Sequence, residues 1–216
     1  MRRPSLETKR IRKYGTGVGA DYQPYIHIQD FNSRGTSVVI PDWKTKRGIH
    51  CLSQGEMYWY YTLRWDDNNV DIREQYPLNR SDTDAIANTY GLKTPGKKDC
   101  LMTTDFLVTE ANGKLHTYSV KPNRDLSSRT IEKLFIEKMY WTKRNVHFTL
   151  LYKSDANLIL VNNLRIVMEY YDKSSVFDEW TQIKHMIATK QLPYDMETIP
   201  ITNLNDYMKW RKNYGR

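Results

Sequence analysis

Two β-prone runs joined by an Asn-Gly turn signal constrain this chain of 216 residues more than any other feature. The first run covers residues 103–108 and the second covers residues 115–120, with Asn112 and Gly113 between them. Asn-Gly between two such runs is a strong short-range signal for a β-hairpin. The sequence therefore predicts an antiparallel hairpin, with the neighbouring segments arranged around it.

The length of the turn decides which side chains meet across this hairpin. A two-residue loop places Asp105 opposite Val120 and sends Lys121 to the other face. A three-residue loop with a left-handed Gly113 shifts the pairing by one residue. Asp105 then faces Ser119, and Lys121 lies diagonally on the same face, with β-carbons about 5–8 Å apart. An ordinary cross-strand pair at a sheet edge has the same pattern, so the hairpin alone leaves its role open.

The segments around the hairpin complete a mixed α/β core. Residues 70–78 predict a strand before it, and residues 146–152 predict a further, mostly buried strand after it. A helix ending near Arg144 separates the hairpin from this last strand, an order that predicts a right-handed parallel crossover. The apolar stripe of this helix consists of Ile131, Leu134, Phe135 and Met139. The predicted fold class is therefore α/β, with a mixed central sheet flanked by helices.

Glu56 fits two interpretations. Ser53 and Glu56 have the spacing of a capping box, in which the glutamate closes the start of a helix. The same glutamate heads an apolar stripe, because Trp59, Tyr60 and Leu63 follow it at i+3, i+4 and i+7. A carboxylate on a core-facing stripe needs a partner, which favours a functional role for Glu56.

Changes in composition predict three regions. Residues 1–48 form a basic arm with short strands that pack on the core, residues 49–153 form the core, and residues 154–216 form a small helical region for partner or DNA contacts. Residues 79–98 are polar and turn-rich, and predict a long irregular excursion before the hairpin. The shorter predicted elements are β-prone runs at 25–28 and 37–40, and helices at 158–171, 175–190 and 202–214.

The charge balance favours an anionic partner. The chain has 33 Lys and Arg against 25 Asp and Glu, a net charge of +8, and 16 Tyr with 6 Trp. Such a surplus with stackable rings suits nucleic acid. The basic run in residues 1–14 is either a solvated terminus or an arm along a phosphate backbone. The individual residues predicted to bind DNA are Lys97, Lys98, Arg124 and Arg129.

Neither a membrane nor a secreted protein is predicted. No apolar run approaches the length of a transmembrane helix, and no apolar segment follows the basic start of the chain, so we expect a cytoplasmic protein without a membrane partner. Cys51 and Cys100 make no disulfide framework and are expected to stay free. His50 beside Cys51 lacks the further ligands of a zinc site.

Five segments taken in order resemble one family, the TnsA endonucleases of heteromeric transposons, a branch of the restriction-endonuclease-like PD-(D/E)xK nucleases. The segments are SQGEMYWYYTLRW, VDIREQYPL, TTDFLV, SVKPNRDLSSRTIEKLFIEKMYWTKR and VHFTLLY, within residues 52–152. The resemblance implies that Glu56, Asp105 and Lys121 are the catalytic residues and that the Val120 carbonyl binds metal. The family's usual Glu or Gln two positions before the lysine is Ser119 here, a weaker ligand, so one or two metals remain open.

The resemblance implies a Mg²⁺-dependent DNA endonuclease, with Mn²⁺ able to substitute. Glu56 and Asp105 would hold the metal, and Lys121 would orient the attacking water or stabilise developing charge. It further implies cleavage of the 5′, non-transferred strands of double-stranded transposon-end DNA, in the bacterial cytoplasm at the nucleoid. The implied partners are a DDE-type, TnsB-like transposase that cuts the 3′ ends and an AAA+, TnsC-like regulator.

Two other functions use the same residues. A stand-alone restriction-type or junction-resolving nuclease would have the same acids and lysine, but would cut DNA without a partner. A non-catalytic scaffold would bind DNA and recruit the regulator, with Ser119 marking a decayed metal site. The presence of Glu56, Asp105 and Lys121 together argues against decay.

Overall fold

The predicted hairpin lies at the centre of a four-stranded sheet in the computed structural model, which describes residues 4–30, 36–95, 100–202 and 204–214. These residues divide into two units, 1–155 and 156–216. The strands are β1 (Val38–Pro41), β2 (Gly48–Cys51), β3 (Asn69–Pro77), β4 (Thr103–Glu110), β5 (Leu115–Lys121) and β6 (His147–Tyr152). The α-helices are α1 (Leu6–Ile11), α2 (Gln54–Trp65), α3 (Arg80–Thr89), α4 (Ser128–Thr142), α5 (Leu158–Val167), α6 (Glu179–Ala188) and α7 (Leu204–Tyr214).

The register of the hairpin follows the three-residue loop. The Glu110 amide donates to the Lys114 carbonyl at 2.8 Å, and Gly113 has a φ of +82°, the left-handed region that favours glycine. Phe106 pairs with Tyr118, which puts Asp105 and Ser119 at the next opposed positions. The two-residue alternative is therefore wrong, and Asp105 and Lys121 lie on the same side of the sheet.

The strand order β3-β4-β5-β6 confirms the predicted mixed sheet. The first three strands are antiparallel, and β6 adds in parallel to β5 after the helix α4. The prediction that β6 is mostly buried is wrong, because β6 is the edge strand and its side chains are half-buried or exposed. Trp59 of α2 donates its indole N–H to the Tyr152 carbonyl at 2.9 Å and so fixes α2 against the end of β6.

Two sequence predictions fail on the faces of this sheet. In α4, the predicted stripe residues Leu134 and Met139 do pack on the core, but Ile131 and Phe135 are exposed. The buried face continues instead through Ile136, Tyr140 and Trp141. Residues 79–98 are not irregular throughout, because α3 begins within them, capped by the Asn79 side chain. Its buried residues Thr83, Ile86 and Ala87 span little more than one turn, a pattern too short to stand out in a polar segment.

The predicted strand at 25–28 is also wrong, whereas the run at 37–40 does form a strand, β1, paired with β2. Residue Tyr25 is buried, and its amide donates to the carbonyl of Gln75 in β3 at 3.3 Å, so this segment packs on the core without forming a ladder. Two buried ion pairs attach the β1–β2 region to the sheet and to α2. They join Arg47 to Glu74 at 2.7 Å and Arg64 to Asp42 at 2.5 Å.

The second unit is helical, as the sequence predicts, with α5, α6 and α7. The buried Asn163 of α5 donates to the carbonyls of Met196 and Ile199 and accepts from the Ile201 amide at 2.7 Å. One side chain thus satisfies three backbone groups of the stretch before α7. No helix in the described part of the chain is long and apolar enough to cross a membrane.

Candidate active site

A cavity of about 370 Å³, here called the Glu56-side cavity, collects side chains from α2, β4 and β5. Glu56 comes from the first turn of α2, Asp105 from β4 and Lys121 from the end of β5. Gly55 permits this close approach, because a Cβ there would lie 3.1 Å from Cγ1 of Val120. The structure therefore brings together the three side chains that the sequence analysis selected.

Glu56 is both a helix-capping residue and a buried one, with 7% of its surface exposed. Its amide donates to Ser53 Oγ at 3.2 Å, and its carboxylate accepts from Ser53 Oγ at 2.9 Å and from the Leu52 amide at 2.8 Å. Gln75 Nε2 donates to the same carboxylate at 3.1 Å. Burial, and then the charge of Asp105, raises the pKa of Glu56 to about 8. A cation next to this carboxyl would favour its charged form.

Asp105 and Lys121 form a second part of the site. Asp105 Oδ2 accepts from the Val120 amide at 2.6 Å and lies 3.5 Å from Lys121 Nζ. Lys121 Nζ also donates to the Val120 carbonyl at 2.8 Å. Burial opposes the charge on Lys121, but Asp105, then Glu137 and Glu56, outweigh it and raise the pKa of the lysine. A positively charged ammonium thus lies between two oxygen ligands, the Asp105 carboxylate and the Val120 carbonyl.

The oxygens at this position fit a hard divalent cation. Carboxylate and carbonyl oxygens are the donors that Mg²⁺ prefers, and the Asp105 and Val120 oxygens already hold a cationic group, Lys121 Nζ. Within the described ranges, no three His, Cys, Asp or Glu side chains form a ready-made metal cluster. A metal would therefore be held by the carboxylates of Glu56 and Asp105 together with the main-chain carbonyl of Val120.

A third carboxylate, Glu137 of α4, lies beside the site, and the sequence analysis missed it. Glu137 is 4% exposed, and the Ser119 hydroxyl donates to its two carboxylate oxygens at 2.9 and 2.8 Å. The Thr104 hydroxyl donates to Glu137 as well. Burial, and then the charge of Asp105, raises the pKa of Glu137 to about 7. Ser119 thus contacts a buried carboxylate that comes from the helix α4.

The pattern that selected Glu56 would also have found Glu137. Glu137 follows the buried Leu134 by three positions and precedes the buried Trp141 by four. It therefore lies on the same face of the helix, which faces the core. The predicted stripe includes Ile131 and Phe135 because they are apolar. Their inclusion rotates the predicted buried face of the helix by about one residue from the observed one. On the correct face, a glutamate among core residues is visible in the sequence.

The predicted DNA-binding residues have different positions in the structure. Lys97 and Lys98 lie outside the described residues. Arg124 is exposed and forms a double hydrogen bond with Asp155, at 2.8 and 2.7 Å. Arg129 donates to the carbonyls of residues 93 and 94 and to a glutamate one turn on. Both arginines thus make exposed or half-exposed contacts within the chain.

Two other lysines line the cavities at the site. A second cavity of about 470 Å³, here called the Glu137-side cavity, contains Lys133, and the Glu56-side cavity contains Lys153. Asp105 and Lys121 line both cavities. Neither Lys133 nor Lys153 takes part in an ion pair within the described chain. The site therefore lies where two cavities meet, with a lysine free of acidic partners in each.

Fold and site together define a class of protein. A mixed sheet that carries an acid and a lysine on neighbouring strands, faced by a buried glutamate from a helix, is the arrangement of the restriction-endonuclease-like nucleases. The predicted fold class is confirmed at this level.

Comparison with known proteins shows which family the chain resembles. Residues 66–153 match the family model described as TnsA-like endonuclease N terminal. Over 162 residues the chain is 37% identical to the Transposon Tn7 transposition protein TnsA of Escherichia coli, an alignment that covers 72% of the chain and 59% of that protein. These similarities confirm the predicted resemblance to the TnsA-type transposon endonucleases. It spans about three fifths of the length of this relative.

Proposed function

We propose that this chain is the endonuclease subunit of a heteromeric, Tn7-like transposase, which hydrolyses phosphodiester bonds at transposon ends with a divalent metal ion. The observation that carries the proposal is the convergence of Glu56, Asp105 and Lys121 on one cavity, within a chain related to TnsA. Three buried or half-buried ionisable groups that share one cavity are costly for a purely structural site.

Each residue has a role that follows from its contacts. Glu56, Asp105 and the Val120 carbonyl would hold Mg²⁺, which supplies a bound water of lowered pKa and neutralises charge on the phosphate. Lys121, already 3.5 Å from Asp105 Oδ2, would donate to the attacking water or to the developing negative charge. Glu137 would add negative charge on the opposite side of Asp105.

The two cavities support a path for the cleaved strand. Asp105 and Lys121 line both cavities. A phosphodiester bound at these residues would therefore have the next phosphate of the strand in one cavity and the preceding phosphate in the other. Lys153 and Lys133, one in each cavity, would neutralise those neighbouring phosphates. We propose them as DNA contacts in addition to Arg124 and Arg129, whose role in DNA binding stays a prediction.

The family relation supports the finer proposals about partners. The relative is a transposition protein, so we propose that the chain cuts the 5′ strands of double-stranded transposon ends beside a DDE-type transposase, with an AAA+ regulator as third partner. Two alternatives differ from this proposal. A stand-alone nuclease would cleave DNA without a partner, and a non-catalytic scaffold would not cleave DNA.

Strand-resolved cleavage of labelled transposon-end DNA tests the proposal. Wild type is compared with Asp105→Asn, in Mg²⁺ and in EDTA, with and without the partner transposase. Asp84→Asn, which alters a surface pair with Arg80, is the control. Cuts at the 5′ ends that need the partner, Mg²⁺ and Asp105 but not Asp84 are expected. Cutting without a partner would establish a stand-alone nuclease, and no cutting in any combination would establish the scaffold.

A further inference from the structure

We infer that Gln75 is a positioning residue, whose side-chain amide holds the Glu56 carboxylate so that one defined oxygen faces a metal. This inference rests on the proposed function, because it concerns how the chain prepares the metal site. Gln75 lies on β3, it is 2% exposed, and it touches neither Asp105 nor Lys121 in any described hydrogen bond.

The Gln75 amide is oriented by two partners. Its Nε2 donates to Glu56 Oε2 at 3.1 Å, and its Oε1 accepts from the Thr103 hydroxyl at 3.1 Å. A flipped amide would place Oε1 against a carboxylate oxygen, which is unfavourable, since neither atom carries a proton when Glu56 is ionised. The acceptor-only carboxylate of Glu56 thus sets the direction of the amide, and the Thr103 hydroxyl on β4 holds its other end.

The backbone of Gln75 is strained. Its φ is +49°, in the left-handed region, in the middle of a strand. Such a conformation costs a residue other than glycine about 1–3 kcal/mol and persists only where the surroundings enforce it. The flanking residues stay in register, with Glu74 opposite Phe106 and Tyr76 opposite Thr104. The strain is therefore confined to the residue whose side chain reaches Glu56.

The contacts of Glu56 show which of its carboxylate oxygens keeps a free acceptor position. A carboxylate offers about four acceptor positions, two on each oxygen. Among the described residues, Oε2 accepts from the Leu52 amide at 2.8 Å and from Gln75 at 3.1 Å, whereas Oε1 accepts from Ser53 Oγ alone, at 2.9 Å. Oε2 is full, and one position remains on Oε1. Gln75 therefore makes Glu56 a ligand through a single oxygen, held in a fixed orientation.

Two substitutions separate this role from a structural one. Gln75→Asn keeps an amide and suits a left-handed backbone, but its side chain is one methylene too short to reach Glu56. Thr103→Val keeps the shape of Thr103 and removes the hydroxyl that holds the far end of the amide. Asn69→Leu removes another buried amide of β3, one that donates to the Leu63 carbonyl and not to the site, and is the control.

The measurement is Mn²⁺ binding to the full chain, followed by electron paramagnetic resonance without DNA, with thermal unfolding in EDTA as the check on folding. Loss of a residue that orients a metal ligand typically lowers metal affinity about 10–100-fold. We expect a loss in that range for Gln75→Asn, a smaller loss for Thr103→Val and none for Asn69→Leu. Raising Mg²⁺ should restore cleavage by Gln75→Asn, which a structural defect would not allow.

Wild-type affinity in folded Gln75→Asn would overturn the inference and leave the proposed function intact. The same holds if Asn69→Leu weakens Mn²⁺ binding as much as Gln75→Asn does. If Gln75→Asn does not fold, Thr103→Val decides the question by the same criterion. Failure of the wild type to bind Mn²⁺ and to cleave DNA would instead remove the proposed function itself.

Discussion

At the scale of single residues, Lys121 competes with a metal for the same oxygens. Its ammonium group lies 2.8 Å from the Val120 carbonyl and 3.5 Å from Asp105 Oδ2. Two cations cannot share these oxygens without strong repulsion. We expect Lys121→Met to bind Mn²⁺ more tightly than wild type, while single-turnover cleavage falls by about 100-fold or more. Unchanged or weaker Mn²⁺ affinity in this variant would contradict the competition.

Glu137 gives a second prediction at this scale. Glu137 is 4% exposed, and burial raises the pKa of its carboxyl group. Glu137→Gln keeps the shape of this side chain but removes its ionisable carboxyl group. We expect cleavage in Mg²⁺ to fall roughly 10–100-fold, and thermal stability to stay the same or rise, because a buried charge is lost. Ser119→Ala, which removes only the hydroxyl that donates to Glu137, should reduce cleavage less. Full activity of Glu137→Gln would show that this carboxylate is structural.

At the scale of elements, the β1–β2 region depends on buried ion pairs. Arg64 of α2 is 1% exposed and donates to both oxygens of Asp42, at 2.8 and 2.5 Å. Asp42→Asn leaves the Arg64 charge without its partner, so we expect the free energy of unfolding, measured with urea, to fall by about 3–5 kcal/mol.

A surface pair of the same region is the control. Lys44 lies 3.3 Å from Asp67, whose side chain is 66% exposed. Lys44→Ala should therefore cost less than about 1 kcal/mol in the same urea experiment. Equal losses for Asp42→Asn and Lys44→Ala would mean that burial of the Arg64 pair is not what attaches this region to α2.

At the scale of the whole molecule, stability should fall in acid partly because of His50. Burial, and then the charges of His27 and Arg47, lowers the pKa of His50 to about 4. Its pKa in the unfolded chain is near 6.5, so the unfolded state takes up the proton first. The stabilising effect of a neutral His50 is complete above pH 6.5 and is lost as the pH falls towards 4.

The difference between two proteins isolates this effect from the carboxyl groups. Glu56 and Glu137 have raised pKa values, so they stabilise the folded state increasingly as the pH falls towards 4.5 and oppose His50. We expect the difference between the free energies of unfolding, wild type minus His50→Gln, to decrease as the pH falls from 6.5 to 4. A constant difference across this range would show that His50 stays neutral in both states or charges equally in both.

Local sequence patterns predict much of the fold. The turn signal at Asn112 and Gly113 predicted the hairpin, because glycine tolerates the left-handed conformation that the turn requires. The apolar run at 146–152 predicted a parallel strand. α3 was missed, because its buried face consists of Thr83, Ile86 and Ala87, which are neither uniformly apolar nor numerous. Local pattern fails where burial is shared among small and polar residues.

The sequence by itself determined the identity of the acids and the lysine of the candidate site, the order of the strands along the chain, and the resemblance to the TnsA-type endonucleases. Tertiary structure alone decided the rest, for a physical reason: hydrogen bonds and burial between residues far apart leave no local period. The left-handed Gln75 beneath Glu56 belongs to this second group, as does the Lys121 ammonium between the Asp105 and Val120 oxygens. The contact between Glu137 and Ser119, eighteen residues apart in the chain, also belongs to it. The helical pattern can place Glu137 on the buried face of α4, but only the packing of α4 on the sheet brings its carboxylate to Ser119.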